Sequence, residues 1–91
     1  MKKHYHVFFS GQVQGVGFRY TARSYADKYS ICGWVANCND GRVELDVEGK
    51  KSDLDGFLSE LKEEFKKYIK DFQMEEQPYS GECDDFRIRF Y

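Results

Sequence analysis

One stretch near the start of the chain, Gly11-Gln12-Val13-Gln14-Gly15-Val16-Gly17-Phe18-Arg19-Tyr20, limits the available folds more than any other. It separates two segments of different period. His6-Val7-Phe8-Phe9 before it is rich in aromatic and β-branched residues and reads as a strand. Phe18, Ala22, Tyr25, Ala26 and Tyr29 after it recur at helical spacing. The chain must therefore pass from strand to helix inside a glycine-punctuated turn. Gly15 and Gly17 allow the left-handed backbone that such a turn demands and leave the main chain open to close approach.

A turn of this kind has chemical consequences. Its successive N–H groups can converge into a concave anion site, and the unpaired donors and positive dipole end of the following helix reinforce it. Arg19 adds a planar, permanently charged fork suited to phosphate or carboxylate. Two commoner phosphate loops do not fit. Counting from Gly11 puts Val16 where a P-loop needs its second glycine, and no lysine follows. Gly15-x-Gly17 runs into Tyr20 where a dinucleotide fingerprint needs its third glycine. Spacing alone leaves an anion cradle and a plain change of direction, with Arg19 solvated, about equally open.

The 91 residues suit one domain, spanning 1–91, and a makeup of 41% hydrophobic and 33% charged residues is that of a globular chain. A net charge of -2 argues against a nucleic-acid binder, so an anion site here must rely on local geometry rather than overall field. Val7-Phe8-Phe9 is too short an apolar run for a signal peptide, and nothing approaches membrane-spanning length. Cys32, Cys38 and Cys83 are odd in number, lack Cys-x-x-Cys spacing, and are expected to be reduced thiols in a cytoplasmic protein. His4 and His6 share a strand face, but without a cysteine pair at finger spacing no metal site is expected.

Further along, Ser30 to Cys38 reads as a second strand, and Asn39-Asp40-Gly41 as a hairpin turn. The third strand alternates cleanly, with Val43, Leu45 and Val47 inward and Arg42, Glu44, Asp46 and Glu48 on a face expected to be wet. Gly49-Lys50-Lys51 is expected to turn into a second helix capped by Ser52, with Asp55 in capping-box register. Leu54, Phe57, Leu58, Leu61, Phe65 and Tyr68 form its core stripe. Asp71 to Gln77 reads as a strand with Phe72 and Met74 on one face, Ser80 to Asp85 as loop, and Phe86 to Phe90 as a short last strand. This order predicts an α+β, ferredoxin-like βαββαβ sandwich, an antiparallel sheet with two helices on one face.

Asn37 is a polar amide near the end of the second strand, where a local bond to the turn backbone is its ordinary use. Taken with its surroundings it means more. Gly11-x-Val13-Gln14-Gly15-Val16-Gly17-Phe18-Arg19 followed by Gly33-Trp34-Val35-x-Asn37-x-x-Asp40-Gly41-x-Val43-Glu44 closely resembles the acylphosphatase family. The resemblance implies hydrolysis of a carboxyl–phosphate anhydride to carboxylate and inorganic phosphate. It further implies that the loop over 12–19, through Gln14, Gly15, Val16, Gly17, Phe18 and Arg19, holds the phosphoryl group. Arg19 and Asn37 are by that likeness the catalytic residues, with Asn37 positioning the attacking water.

The expected partners are a small acyl phosphate and its phosphate product, with no cofactor, metal, nucleic acid or membrane, and the chain is expected to be monomeric. After the second helix the chain departs from the family, which usually has a Gly-Pro turn there. Phe65 to Asp71 occupies that region, and Pro78 is the only proline. Three rival readings are a carbamoyl-phosphate module of hydrogenase maturation, a ferredoxin-like RNA binder, and a catalytically silent phosphate-binding domain.

Overall fold

The computed structural model describes residues 1–90. Its elements run β1 (Lys2–Gly11), α1 (Phe18–Tyr29), β2 (Cys32–Asn37), β3 (Val43–Lys50), α2 (Lys51–Glu64), β4 (Ile69–Gln77) and β5 (Phe86–Arg89). They form one sheet in the order β4-β1-β3-β2-β5. The first four strands pair antiparallel, as the expected sandwich requires. β5 adds to β2 in parallel, so the sheet as a whole is mixed.

The alternation read from the sequence decides which face is covered. Tyr5, Val7 and Phe9 of β1 lie beside Val43, Leu45 and Val47 of β3 in register, and all are buried against the helices. α2 contributes Leu54, Phe57, Leu58 and Leu61 to the same core. α1 contributes Phe18, Ala22 and Ala26, and the two alanines have room for no larger side chain without overpacking. Each fully buried Leu, Val or Phe here contributes roughly 1.5–3 kcal/mol.

The second helix departs from expectation at both ends. β3 runs directly into α2 with Lys50 at the N-cap, no side chain caps it, and Ser52 lies inside the first turn. Asp55 is instead taken by Lys51 Nζ at 2.8 Å, one helical turn away. The helix ends at Glu64, and Tyr68, expected in the core stripe, is 41% exposed in the following turn. That turn has a use. The Tyr68 carbonyl accepts the Gln12 N–H at 2.9 Å and ties the start of the first loop to the end of α2.

The outer face of the sheet is less wet than its charges suggest. His6 sits between Asp46 Oδ2 (2.7 Å) and Glu44 Oε2 (2.6 Å), and His4 Nε2 lies 2.7 Å from Asp46 Oδ1. Part of this face lies under the chain between β4 and β5. Glu48, only 6% exposed, accepts the N–H groups of Ser80 (2.9 Å) and Gly81 (3.0 Å) and the Ser80 hydroxyl (2.9 Å). Cys32 and Cys83 form a disulfide across a sequence separation of 51, correcting the expectation that all cysteines are reduced. Neither residue carries a pairing signal in its spacing; the 78–85 segment folding over the start of β2 brings them together.

Candidate anion site at the first loop

The loop between β1 and α1 is pinned from below and bare above. Val13 and Phe18 are buried and Val16 packs on the core, so these side chains anchor the loop to the sandwich. Phe18 lies 4.9 Å from Phe9 and 4.7 Å from Phe65, centroid to centroid. Gly15 (φ 78°) and Gly17 (φ 83°) are left-handed. A Cβ at either would meet nothing within 4 Å, so glycine is required by backbone conformation and not by crowding.

The consequence is a run of unused donors. Among the described residues, no acceptor takes the main-chain N–H groups of residues 14–20. The first bond of the helix runs from Thr21 N to Gly17 O at 3.1 Å. Orphan donors at a helix start are ordinarily satisfied by a cap, water or ligand, and α1 has no side-chain cap. The orphan N–H groups are therefore open to an external acceptor, water or a ligand, and the positive end of the helix dipole faces the same side.

Arg19 stands in the first turn of α1, half-buried. Its guanidinium carbon lies 5.3 Å from the centroid of the Phe90 ring. Arg42 and Arg87 are held by Asp40 (2.8 Å) and Asp85 (3.0 Å), whereas no carboxylate among the described residues pairs with Arg19. Asn37 closes β2 opposite Val43 and so shares the helix-side face of the sheet with Val35. Its amide makes no hydrogen bond among the described residues. The local bond to the turn that an asparagine here ordinarily makes is absent, because Asp40 does that work, accepting the Arg42 N–H at 3.1 Å. The Arg42 N–H is also the leading reason that the Asp40 pKa falls below its ordinary 3.8.

Gln14 has a role that sequence reasoning missed. Its side-chain Nε2 donates to the Cys38 carbonyl (2.8 Å) and the Arg42 carbonyl (3.0 Å), bracing the loop against the hairpin that carries Asn37. Only its main-chain N–H remains for a ligand. The same holds for Phe18, whose side chain belongs to the core. No spacing rule flags the Gln14 contact, since its partners lie 24 and 28 residues away.

Neighbouring groups offer no rival chemistry. Burial, then Glu44 and Asp40, push the Cys38 thiol above its ordinary 9.0, so it stays a protonated, poor nucleophile. Among the described residues no three His, Cys, Asp or Glu side chains converge to hold a metal ion. No described helix is long and apolar enough to cross a membrane. A concavity of about 890 Å³ opens at the other end of the sheet, lined by Lys2, Lys28, Lys50, Tyr79 and Asp84 among others, and neither Arg19 nor Asn37 reaches it.

Fold and loop together define a ferredoxin-like α+β sandwich with a run of unpaired main-chain donors between its first strand and first helix. The acylphosphatase family model matches residues 5–88, and the chain belongs to that family. It is 42% identical to an acylphosphatase of Bacillus pumilus over 88 residues, covering 94% of this chain and 97% of that one. The crystal structure of the acylphosphatase from Bacillus subtilis superposes with a TM-score of 0.86 at 34% identity, covering 98% of this chain and 99% of that one. A full-length HypF, solved in a phosphate- and nucleotide-bound form, superposes with a TM-score of 0.82 at 29% identity, but this chain covers only 12% of it. Membership makes the chain a hydrolase of acyl phosphates with inorganic phosphate as product.

Proposed function

We propose that the bowl at residues 14–18 and the Arg19 guanidinium hold the phosphoryl group while Asn37 orients the attacking water. The observation that carries this reading is the run of main-chain donors without acceptors beside an arginine that no described carboxylate pairs. A phosphoryl dianion supplies what both lack. Its non-bridging oxygens accept the N–H groups and the in-plane fork of Arg19. The Asn37 amide, free of other bonds among the described residues, is available to hold a water for in-line approach. Gln14, tying loop to hairpin, keeps the two halves of the site in register.

The chemistry asks for little more. A carboxylate leaving group is a weak base and needs no general acid. Phosphoryl transfer through a loose transition state is served mainly by positioning and charge stabilisation. Donors fixed in advance by the fold cost no reorganisation as charge shifts to the bridging oxygen. In this reading the chain is a single domain that acts as a monomer without metal, cofactor, nucleic acid or membrane. Against the RNA-binding alternative, the outer-face aromatics Phe8 and Trp34 are already covered by the guanidinium groups of Arg42 (4.2 Å) and Arg89 (4.4 Å).

The test is direct hydrolysis of benzoyl phosphate by the wild type beside Arg19→Ala, with inorganic phosphate as competitive inhibitor. Activity in the wild type, with turnover and phosphate inhibition both lost in the variant, is the expected result. Undiminished turnover in Arg19→Ala removes Arg19 from the site. The carbamoyl-phosphate alternative raised by the sequence makes carbamoyl phosphate the second substrate to compare. Faster turnover of it than of benzoyl phosphate would move the chain toward the carbamoyl-transfer reading.

A further inference from the structure

We infer that Phe90 forms the acyl-side wall of the site and sets its preference for substrates with an aromatic acyl group. The inference rests on the assignment of Arg19 to the phosphoryl group. Strand register brings Phe90 there. β5 lies parallel to β2 with Arg89 opposite Ala36, so the next residue comes level with Asn37. Phe86 opposite Gly33 and Ile88 opposite Val35 both turn to the core side. Alternation carries Phe90 to that same side, and its ring sits 5.3 Å from the Arg19 guanidinium carbon.

The geometry leaves each partner free for substrate. The Arg19 guanidinium carbon sits over the Phe90 ring, a contact that uses none of the oxygen acceptors a phosphate would offer its N–H groups. Cation–π attraction then holds ring and guanidinium together. The Phe90 ring is 78% exposed, whereas Phe86 on the same side of the strand is buried. A large apolar surface is thus held in water beside the group that grips the phosphoryl end. The acyl substituent must extend away from that end. A benzoyl ring reaching across the Arg19–Phe90 pair gains ring-on-ring contact, whereas an acetyl group is too short to cover it.

The experiment compares benzoyl phosphate with acetyl phosphate on the wild type, Phe90→Ala and Phe90→Tyr. Phe90→Ala is expected to lower kcat/KM for benzoyl phosphate about five- to tenfold, mainly through KM. For acetyl phosphate, and for inhibition by inorganic phosphate, the loss is expected to be smaller than for benzoyl phosphate, because these share the ring's hold on Arg19 but not its contact with the acyl group. Phe90→Tyr keeps the ring and is expected to keep the benzoyl preference. An unchanged benzoyl-to-acetyl ratio in Phe90→Ala, or loss of the preference in Phe90→Tyr, overturns the inference while leaving the functional reading intact. A wild type that hydrolyses neither substrate overturns both.

Discussion

The two ends of the sheet are built on opposite rules. At the end where β2 begins and β3 finishes, polar groups find partners inside the protein. Glu48 takes the N–H groups of Ser80 and Gly81, His4 Nδ1 donates to the Pro78 carbonyl at 3.0 Å, and Gly33 N donates to Asp85 O at 2.9 Å. Cys32–Cys83 closes the same seam covalently. At the other end, the N–H groups of residues 14–20, the Arg19 guanidinium and the Asn37 amide have no protein hydrogen-bond or ion-pair partner among the described residues. Arg19 and Asn37 are only half-buried and Gly15 and Gly17 are exposed, so these groups are open to water or to a ligand. In the proposed reading the two ends divide the labour: one satisfies its polar groups to hold the fold, and the other keeps them open to an anion.

If that contrast is right, perturbing the open end should remove activity without unfolding the chain, and perturbing the closed end should do the reverse. The largest effect is expected from Arg19→Lys, which keeps a charge but loses the fork. Turnover should fall about a hundred- to a thousandfold, with a melting temperature close to wild type by calorimetry. Wild-type kinetics in that variant would break the comparison. Asn37→Ala should lower kcat by about tenfold to a hundredfold while inhibition by inorganic phosphate stays nearly constant. Equal loss of both would mean that Asn37 binds rather than positions.

At the closed end, reducing Cys32–Cys83 or replacing Cys83 with Ser should cost about 2–4 kcal/mol in urea unfolding, from the loop of 51 residues it releases. The value of kcat/KM should hold while the chain stays folded, and a parallel loss of activity would show the ends to be coupled.

The smallest effect, and the one that sharpens the contrast most, is in pH. Burial opposes charge on His4, but the Pro78 carbonyl and Asp46 outweigh it and raise its pKa above 6.5. Its contribution is complete below 6.5 and fades as pH rises through the higher folded value. Burial likewise opposes charge on Glu48, yet the N–H donors of Gly81 and Ser80, the Ser80 hydroxyl and His4 together lower its pKa from 4.5. Its contribution is complete above 4.5 and fades as pH falls through the lower folded value. Urea-unfolding stability should therefore be greatest between those two ordinary values. Meanwhile kcat should change little between about pH 5 and about pH 8, since a guanidinium and an amide do not titrate there. A single group controlling kcat in that window would place titratable chemistry at the open end.

Features carried by local pattern are legible in the amino-acid sequence. Val43, Leu45 and Val47 mark the buried face of β3, Leu54 to Leu61 the buried stripe of α2, and the Gly15–Arg19 stretch the left-handed turn from strand to helix. The assignment of Asn37 leans on likeness to a family, because an isolated amide near a hairpin has a commoner local use. What stays hidden joins residues far apart in the chain. Gln14 bracing the hairpin depends on β3 pairing with β1, whereas Cys32 meeting Cys83 and Phe90 covering Arg19 depend on how the 78–85 segment and β5 return across the sheet.

The division has a physical cause. Periodicity and backbone preference act between neighbours, so the residues alone determined the elements, their inward faces and the left-handed turn that bares the donors. Which polar groups are answered and which are left waiting is a matter of three-dimensional proximity. Only the packed sheet, with β5 laid parallel to β2 and the 78–85 segment fastened to Glu48, decided that one end would be closed and the other open.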